Sequence, residues 1–235
     1  MQVFVGTSGY AYKEWKGGFY PAKLPAAEML HFYATRLAAV EVNNTFYRMP
    51  SERVLVDWAA QVPDAFRFIL KASQRITHYA RLKLEDDSLD YFFRTANVLG
   101  HRLGPTLFQL PPNLKKDLPR LTDFLSKVPR TWRAAMEFRH ESWFADDVLD
   151  ALRARDIALV AVDGDEGGAP LVPTASWGYL RLRRRAYDPA ALAAWAERIR
   201  AQPWREAYAF LKHEEDETAA NGPRWAEELA RLTSN

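Results

Sequence analysis

Two polar pairs stand two positions apart at the ends of short apolar runs, Glu41 with Asn43 and Glu137 with Arg139. A carboxylate beside an amide or a guanidinium on one side of a strand is an arrangement for a general base next to a group that orients a ligand or holds an anion. Lys71 closes another run and adds an amine able to protonate a substrate or to form a Schiff base. Gln109, Asp163 and Arg181 close three more. The catalytic candidates are therefore Glu137, ranked first, with Lys71 and Glu41, working by metal-free acid and base chemistry. Neighbouring Arg139 and Lys71 favour the ionised carboxylate over the desolvated neutral one, so Glu137 is expected to act as a base or an orienting group.

Arg139 and Arg181 are the expected anion ligands, with Asn43 and Gln109 beside them. The basic run Arg181, Arg183, Arg184 and Arg185 lies close to the seventh apolar run, where barrels often bind phosphate, and a helix N-terminus is expected near Asn221 and Gly222. Tyr10, Tyr12 and Trp15 in the first loop, with Phe46, Tyr47 and Trp143, offer stacking surfaces for a flat ligand. His78, His140 and His213 could join Glu41, Glu137 and Asp163 as metal donors. No HxH or HExxH spacing supports this and several cations would compete, so neither metal nor cofactor is expected.

Composition removes whole classes. The absence of cysteine excludes disulfides, thiolate metal sites and a cysteine nucleophile. No GxSxG elbow, P-loop or GxGxxG motif supports a serine hydrolase, an NTPase or a dinucleotide enzyme. A net charge of +2 gives no global argument for nucleic acid or membrane binding, so charge logic must be local. The start MQVFVGTSGY lacks a basic segment followed by an apolar stretch, and no run is long enough to span a bilayer, so a cytoplasmic protein with no membrane partner is expected. No oligomeric state is assigned.

Eight strand-like runs must position these residues: Val3 to Val5, Ala39 to Val42, Phe66 to Leu70, Thr106 to Leu110, Arg133 to Phe138, Ile157 to Val162, Gly178 to Leu182 and Ala207 to Leu211. Helical periodicity separates most of them, over Ala26 to Leu37, Glu52 to Ala60, Leu89 to Leu99, Leu118 to Val128, Asp147 to Arg155 and Pro189 to Ile199, and recurs after the last in Arg224 to Leu232. Eight alternating units in 235 residues predict a single TIM-type (β/α)8 barrel domain, with a doubly wound open sheet as the structural alternative. Gly164 to Ser176, rich in Gly and Pro, predicts an irregular sixth crossover without a normal helix.

Strand parity then aims the chemistry. Val40 and Val42, or Met136 and Phe138, suit the helix layer, which turns Glu41, Asn43, Glu137 and Arg139 inward. The same rule places Lys71, Gln109, Asp163 and Arg181 inside, above the apolar inward residues Ile69, Leu107, Ala135 and Leu159. Polarity is thus concentrated at the C-terminal mouth, where barrel enzymes carry their sites. The competing explanation is a buried salt-bridge plug, with Glu41 and Glu137 neutralised by Lys71, Arg139 and Arg181.

The segments GTSGYAYKEWKGGFYP (Gly6 to Pro21), EVNNTFYRMP (Glu41 to Pro50), FILKASQRITH (Phe68 to His78), LGPTLFQLPP (Leu103 to Pro112), EFRHESW (Glu137 to Trp143) and GYLRL (Gly178 to Leu182) resemble the successive motifs of the YecE-like family, domain of unknown function 72. The resemblance covers nearly the whole chain and implies a TIM-type barrel, but no established activity. The motif residues that match include Gly6, Ser8, Gly9, Thr77, His78 and Pro111, besides the inward ring, and they add Ser8 and His78 to the candidate binding residues. The chain departs from the family where a His-Gly pair is usual and Arg183 and Arg184 stand, and where an Asn-Asn pair is usual and Lys212 and His213 stand. Those departures imply a more anionic ligand if they touch one.

Two function classes follow. One is a barrel enzyme or binding protein acting at the mouth on a small phosphorylated or polyhydroxylated anion. The alternative is a nucleic-acid or nucleotide binder, in its sharpest form a metal-dependent phosphodiesterase resembling barrel repair endonucleases.

Overall fold

In a computed structural model, which describes residues 1–212 and 221–234, the apolar runs form parallel strands joined by helices. The order is β1 (Gln2–Ser8), α1 (Met29–Ala34), β2 (Ala39–Val42), α2 (Glu52–Ala60), β3 (Arg67–Leu70), α3 (Ser88–Ala96), β4 (Thr106–Gln109), α4 (Leu118–Lys127), β5 (Ala134–Glu137), α5 (Asp146–Arg153), β6 (Ala158–Asp163), β7 (Trp177–Leu182), α6 (Pro189–Arg200), β8 (Glu206–Leu211) and α7 (Asn221–Thr233). The strands lie in the order β3-β2-β1-β8-β7-β6-β5-β4. The two ends of that order meet where Gly104 N donates to Phe68 O at 2.8 Å and Ala72 N to Leu107 O at 2.9 Å, which brings the sheet to a nearly closed barrel. No helix among the described residues is long and apolar enough to cross a membrane.

Two apolar layers hold it together. Phe4, Ala39, Ile69, Leu107, Ala135 and Tyr208 belong to the cluster that fills the barrel, and Val40, Val42, Leu70, Phe108, Met136 and Phe138 pack on the helices. This is the parity expected for β2 to β5. In β6 the expectation fails: Ala158 and Val160 fill the barrel while Leu159 and Ala161 face the helices. Asp163 shares their side and is not in the inward ring. It accepts from Trp195 Nε1 (2.9 Å), Arg184 Nε (2.8 Å) and Tyr187 OH (3.2 Å), so it ties the segment after β7 and helix α6 to β6. The run Ile157–Val162 is apolar on both faces, and period-two alternation carries no information where nothing alternates.

The sixth crossover is irregular as expected. Its first part folds back on β6, with Val162 and Ala169 exchanging backbone hydrogen bonds at 3.2 and 3.0 Å. α1 is shorter than its periodicity, because Ala26–Glu28 winds as a tighter 3-10 turn ahead of it.

β1 and β2 approach so closely at Gly6 that a Cβ there would sit 1.9 Å from Ala39 O. Gly6→Ala must push the two strands apart beside Ser8 and Glu41. The expected loss is about 3 kcal/mol, at the upper end of overpacking costs, read as a fall in the urea midpoint with the slope unchanged.

Candidate functional site

Each polar side chain at the mouth is held by the last residues of a strand or by the turn that follows it. Arg181, on β7, is the centre. One terminal nitrogen donates to Glu41 Oε1 at 2.8 Å and the other to Glu137 Oε2 at 2.7 Å, so one guanidinium bridges the ends of β2 and β5. Glu41 also accepts from Ser8 Oγ (2.8 Å), Asn43 Nδ2 (3.1 Å) and Tyr179 OH (2.6 Å), and Glu137 from Gln109 Nε2 (2.7 Å) and Arg139 Nε (3.3 Å). Glu41, Glu137 and Arg181 are 0%, 1% and 2% exposed, a buried ion network of two carboxylates about one guanidinium, with Arg139 as the second cation at its edge.

Charge follows from that geometry. Burial pushes both carboxyls up, but the Arg181 charge and its hydrogen bonds outweigh it. Glu41, helped by Tyr179 and Ser8, ends below its ordinary value, and Glu137, helped by the Arg139 charge, falls to about 2. Arg181 is raised despite burial, because Glu41 and Glu137 hold its proton.

Lys71 is attached to this network without a carboxylate of its own. Its Nζ donates to Gln109 Oε1 at 2.8 Å and lies 4.0 Å from the centre of the Phe46 ring. Burial, then the positive charge of Arg181, push it down to about 8, with Arg139 adding to the fall and Glu41 and Glu137 opposing it. His78 follows in a wide π-type turn, Arg75–Tyr79, edge-on to Phe46, with its Nδ1 2.9 Å from Thr77 Oγ1. Burial and the charge of Lys71 lower its pKa.

Above Glu137 the mouth opens into a cavity of about 790 Å³ beneath the irregular sixth crossover. Arg139, Arg183 and Lys212 line it, with Phe138 and Phe144 on the apolar side. Arg183 is half-buried; its backbone N donates to Asp163 O at 2.7 Å, but its guanidinium makes no hydrogen bond or ion pair with any described residue. Burial and the nearby Arg181 charge lower its pKa.

The structure brings Ser8, Glu41, Asn43, Lys71, Gln109, Glu137, Arg139 and Arg181 together at one mouth, with His78 beside them. It turns other candidates elsewhere. Trp15 is fully buried against Phe19 and Tyr20. Trp143 is fully buried too, stacked 4.7 Å from Phe138 with its Nε1 donating to Leu114 O, so both tryptophans shape loops rather than offer a stacking face. Tyr12 donates to Ser8 O and lines, with Asn43, a separate cleft of about 120 Å³. Arg181 is committed to two carboxylates, which corrects its expected role as a direct anion ligand. Arg184 is committed to Asp163. Tyr179 was missed, although it stands two residues before Arg181 on the same face. The glycine-rich wall of the cavity carries no side-chain signal.

No cluster of three or more metal-ligating side chains occurs among the described residues. His140 is used in its own turn, its Nδ1 2.9 Å from Ser142 Oγ. His213 lies outside the described residues.

A parallel, nearly closed eight-stranded barrel with its polar residues gathered at the C-terminal mouth defines a TIM-type barrel protein. Within that class, the chain belongs to the family described as protein of unknown function DUF72, whose model matches residues 4–235. The UPF0759 protein YecE of Escherichia coli K12 is 35% identical over 117 residues, which are 49% of this chain and 43% of YecE. The UPF0759 protein YunF of Bacillus subtilis is 26% identical over 184 residues, 73% of this chain and 64% of YunF. The matched stretch thus spans less than two thirds of either relative. A DUF72 family crystal structure from Thermotoga maritima superposes over all of both chains with a TM-score of 0.84 at 25% identity. One from Enterococcus faecalis, at 18% identity, superposes over 100% of this chain and 96% of its own with a TM-score of 0.80.

Proposed function

We propose that the cavity above Glu137 binds a small phosphorylated or polyhydroxylated anion through Arg183, Arg139 and Lys212, and that Lys71 exchanges a proton with it without a metal. The observation that carries this reading is Arg183, a half-buried cation without a partner among the described residues, facing a cavity of metabolite size. An unpaired guanidinium there gains most from a planar or tetrahedral oxyanion.

Glu137 forms the floor. Three donors occupy three of its roughly four acceptor sites, which leaves one for a ligand hydroxyl. Held ionised, it orients such a hydroxyl rather than releasing a proton. Glu41, with both oxygens engaged and no exposed surface, keeps Arg181 in place. Lys71 is the group whose proton is labile near neutrality, and Gln109 links it to Glu137.

The test is a thermal-shift series of small phosphorylated compounds against their unphosphorylated counterparts. At about a hundred times Kd a true ligand adds about 2.7 kcal/mol, or roughly 5 to 11 °C for a chain of this size. Arg183→Ala should abolish the difference between the two series. Equal shifts from neutral compounds, or an unchanged response in Arg183→Ala, would remove the reading.

One observation favours the nucleic-acid alternative: Tyr47 and Tyr79, on the loops after β2 and β3, are 72% and 71% exposed. Stacking there requires Tyr47→Ala and Tyr79→Ala to weaken binding of a labelled single-stranded oligonucleotide, with affinity falling steeply with salt. The metal-dependent phosphodiesterase form has no donor cluster behind it among the described residues.

A further inference from the structure

We propose that Lys71 is a nucleophilic amine that forms an imine with a carbonyl compound bearing an anionic group, an assignment of substrate class that rests on the anion site proposed above.

The carboxylates nearest Lys71 are already taken. Arg181 occupies Glu41 and Glu137 at 2.8 and 2.7 Å and leaves Lys71 no counter-ion. Lys116 and Lys127, by contrast, each meet an aspartate, Asp147 at 2.8 Å and Asp123 at 2.9 Å. The polar partner of Lys71 is a neutral amide oxygen. That amide cannot turn without losing its own bond to Glu137, because Gln109 Nε2 is spent there. An amide oxygen accepts from an amine as well as from an ammonium, so the contact survives loss of the proton.

The surroundings favour that loss. Arg181 and Arg139 oppose the ammonium, Glu41 and Glu137 support it, and burial decides the balance, bringing Lys71 to about 8. Near pH 7.5 the free-amine fraction is then roughly two hundred times that of an ordinary lysine. The Phe46 face, 4.0 Å from Nζ, opposes proton loss as a cation–π partner of the ammonium while keeping water from that side of the amine.

Placement supplies the anionic requirement. Lys71 Nζ, Gln109, Glu137 and Arg139 Nε follow one another through three contacts of 2.8, 2.7 and 3.3 Å. A compound whose phosphate or carboxylate sits on Arg139 and Arg183 can present a carbonyl toward Lys71. The amine lone pair attacks the carbonyl carbon, forming the C–N bond while the π pair goes to oxygen. The nitrogen loses a proton and the oxygen gains one. The carbinolamine then loses its hydroxyl with the remaining N–H proton as water, leaving C=N. No oxidant or reductant is required.

The experiment incubates the whole protein with glyceraldehyde 3-phosphate or glyceraldehyde at pH 7.5, traps imines with cyanoborohydride and maps adducts by mass spectrometry. The expected result is labelling of Lys71 at least about tenfold faster than exposed Lys13, Lys23 or Lys115. Lys71→Arg, which keeps the charge and the bond to Gln109, should melt like wild type and lose that adduct. Arg183→Ala should slow labelling by the phosphorylated probe alone. Labelling of Lys71 no faster than the exposed lysines, with a phosphate-induced thermal shift still present, overturns the imine and leaves the anion site standing. Selective labelling of Lys71 at equal rates by both aldehydes, with no phosphate shift, overturns the anion site and the anionic half of this proposal. Loss of both overturns both.

Discussion

Arg181→Met is expected to lower the melting temperature by about 6 to 20 °C, since stripping the cation from a buried ion network costs about 3 to 5 kcal/mol and each kcal/mol is worth about 2 to 4 °C in a chain of this length. The substitution leaves Glu41 and Glu137 at 0% and 1% exposure with no cation between them. Calorimetry of the single variant measures the loss, and the triple variant Glu41→Gln/Glu137→Gln/Arg181→Met locates its cause. With both carboxylates neutralised, much of the lost stability should return, because the cost lies in unpaired buried charge and not in the missing methylene packing. A triple variant that melts as low as the single one would instead assign the loss to packing.

Glu137→Gln is expected to cost about 3 kcal/mol at pH 7 and progressively less in acid. The sign follows from the direction of the shift. The carboxyl is lowered from its ordinary 4.5 to about 2 in the fold, so its stabilisation is complete above about pH 4.5 and is lost as pH falls toward 2. Wild type and variant should therefore converge on acidification, with the wild-type acid limb the steeper. Urea unfolding at a series of pH values between 3 and 7 reads the gap, and parallel limbs would mean that Glu137 is not held ionised by Arg181 and Arg139. The same variant separates roles: Lys71 labelling that persists in a folded Glu137→Gln protein would confine Glu137 to supporting Arg181.

Much of this was legible because barrels write their geometry in period two. Val40 and Val42 against Glu41 and Asn43, or Met136 and Phe138 against Glu137 and Arg139, contrast strongly enough to fix which face is inside. One helix start also has a local signal: Asp188 stands directly before Pro189, and Asp188 Oδ1 accepts from Ala191 N at 2.7 Å. Contrast vanished in β6, where Ile157 to Val162 is apolar throughout, and with it the orientation of Asp163.

The aromatic residues failed for another reason. Trp15 and Trp143 occur in loops after strands, which is where ligand-stacking aromatics also occur, and local sequence does not distinguish a tryptophan that closes a loop from one that faces its cavity. For Arg181 the sequence leaves two readings open, an anion ligand and a member of a salt-bridge plug, and cannot choose between them. Its two partners come from β2 and β5, 140 and 44 residues away in sequence, and only the closed ring of strands makes one guanidinium reach both. Once Arg181 is accounted for, the Arg183 guanidinium and the Lys71 amine are left at the mouth without a carboxylate partner among the described residues.

The most direct measurement is a phosphate soak of crystals of the protein, repeated with Arg183→Ala. A tetrahedral anion is expected between Arg139 and Arg183 above the Glu137 carboxylate, present in wild type and absent from the variant. An empty cavity in wild type, or density of equal strength in Arg183→Ala, would contradict it.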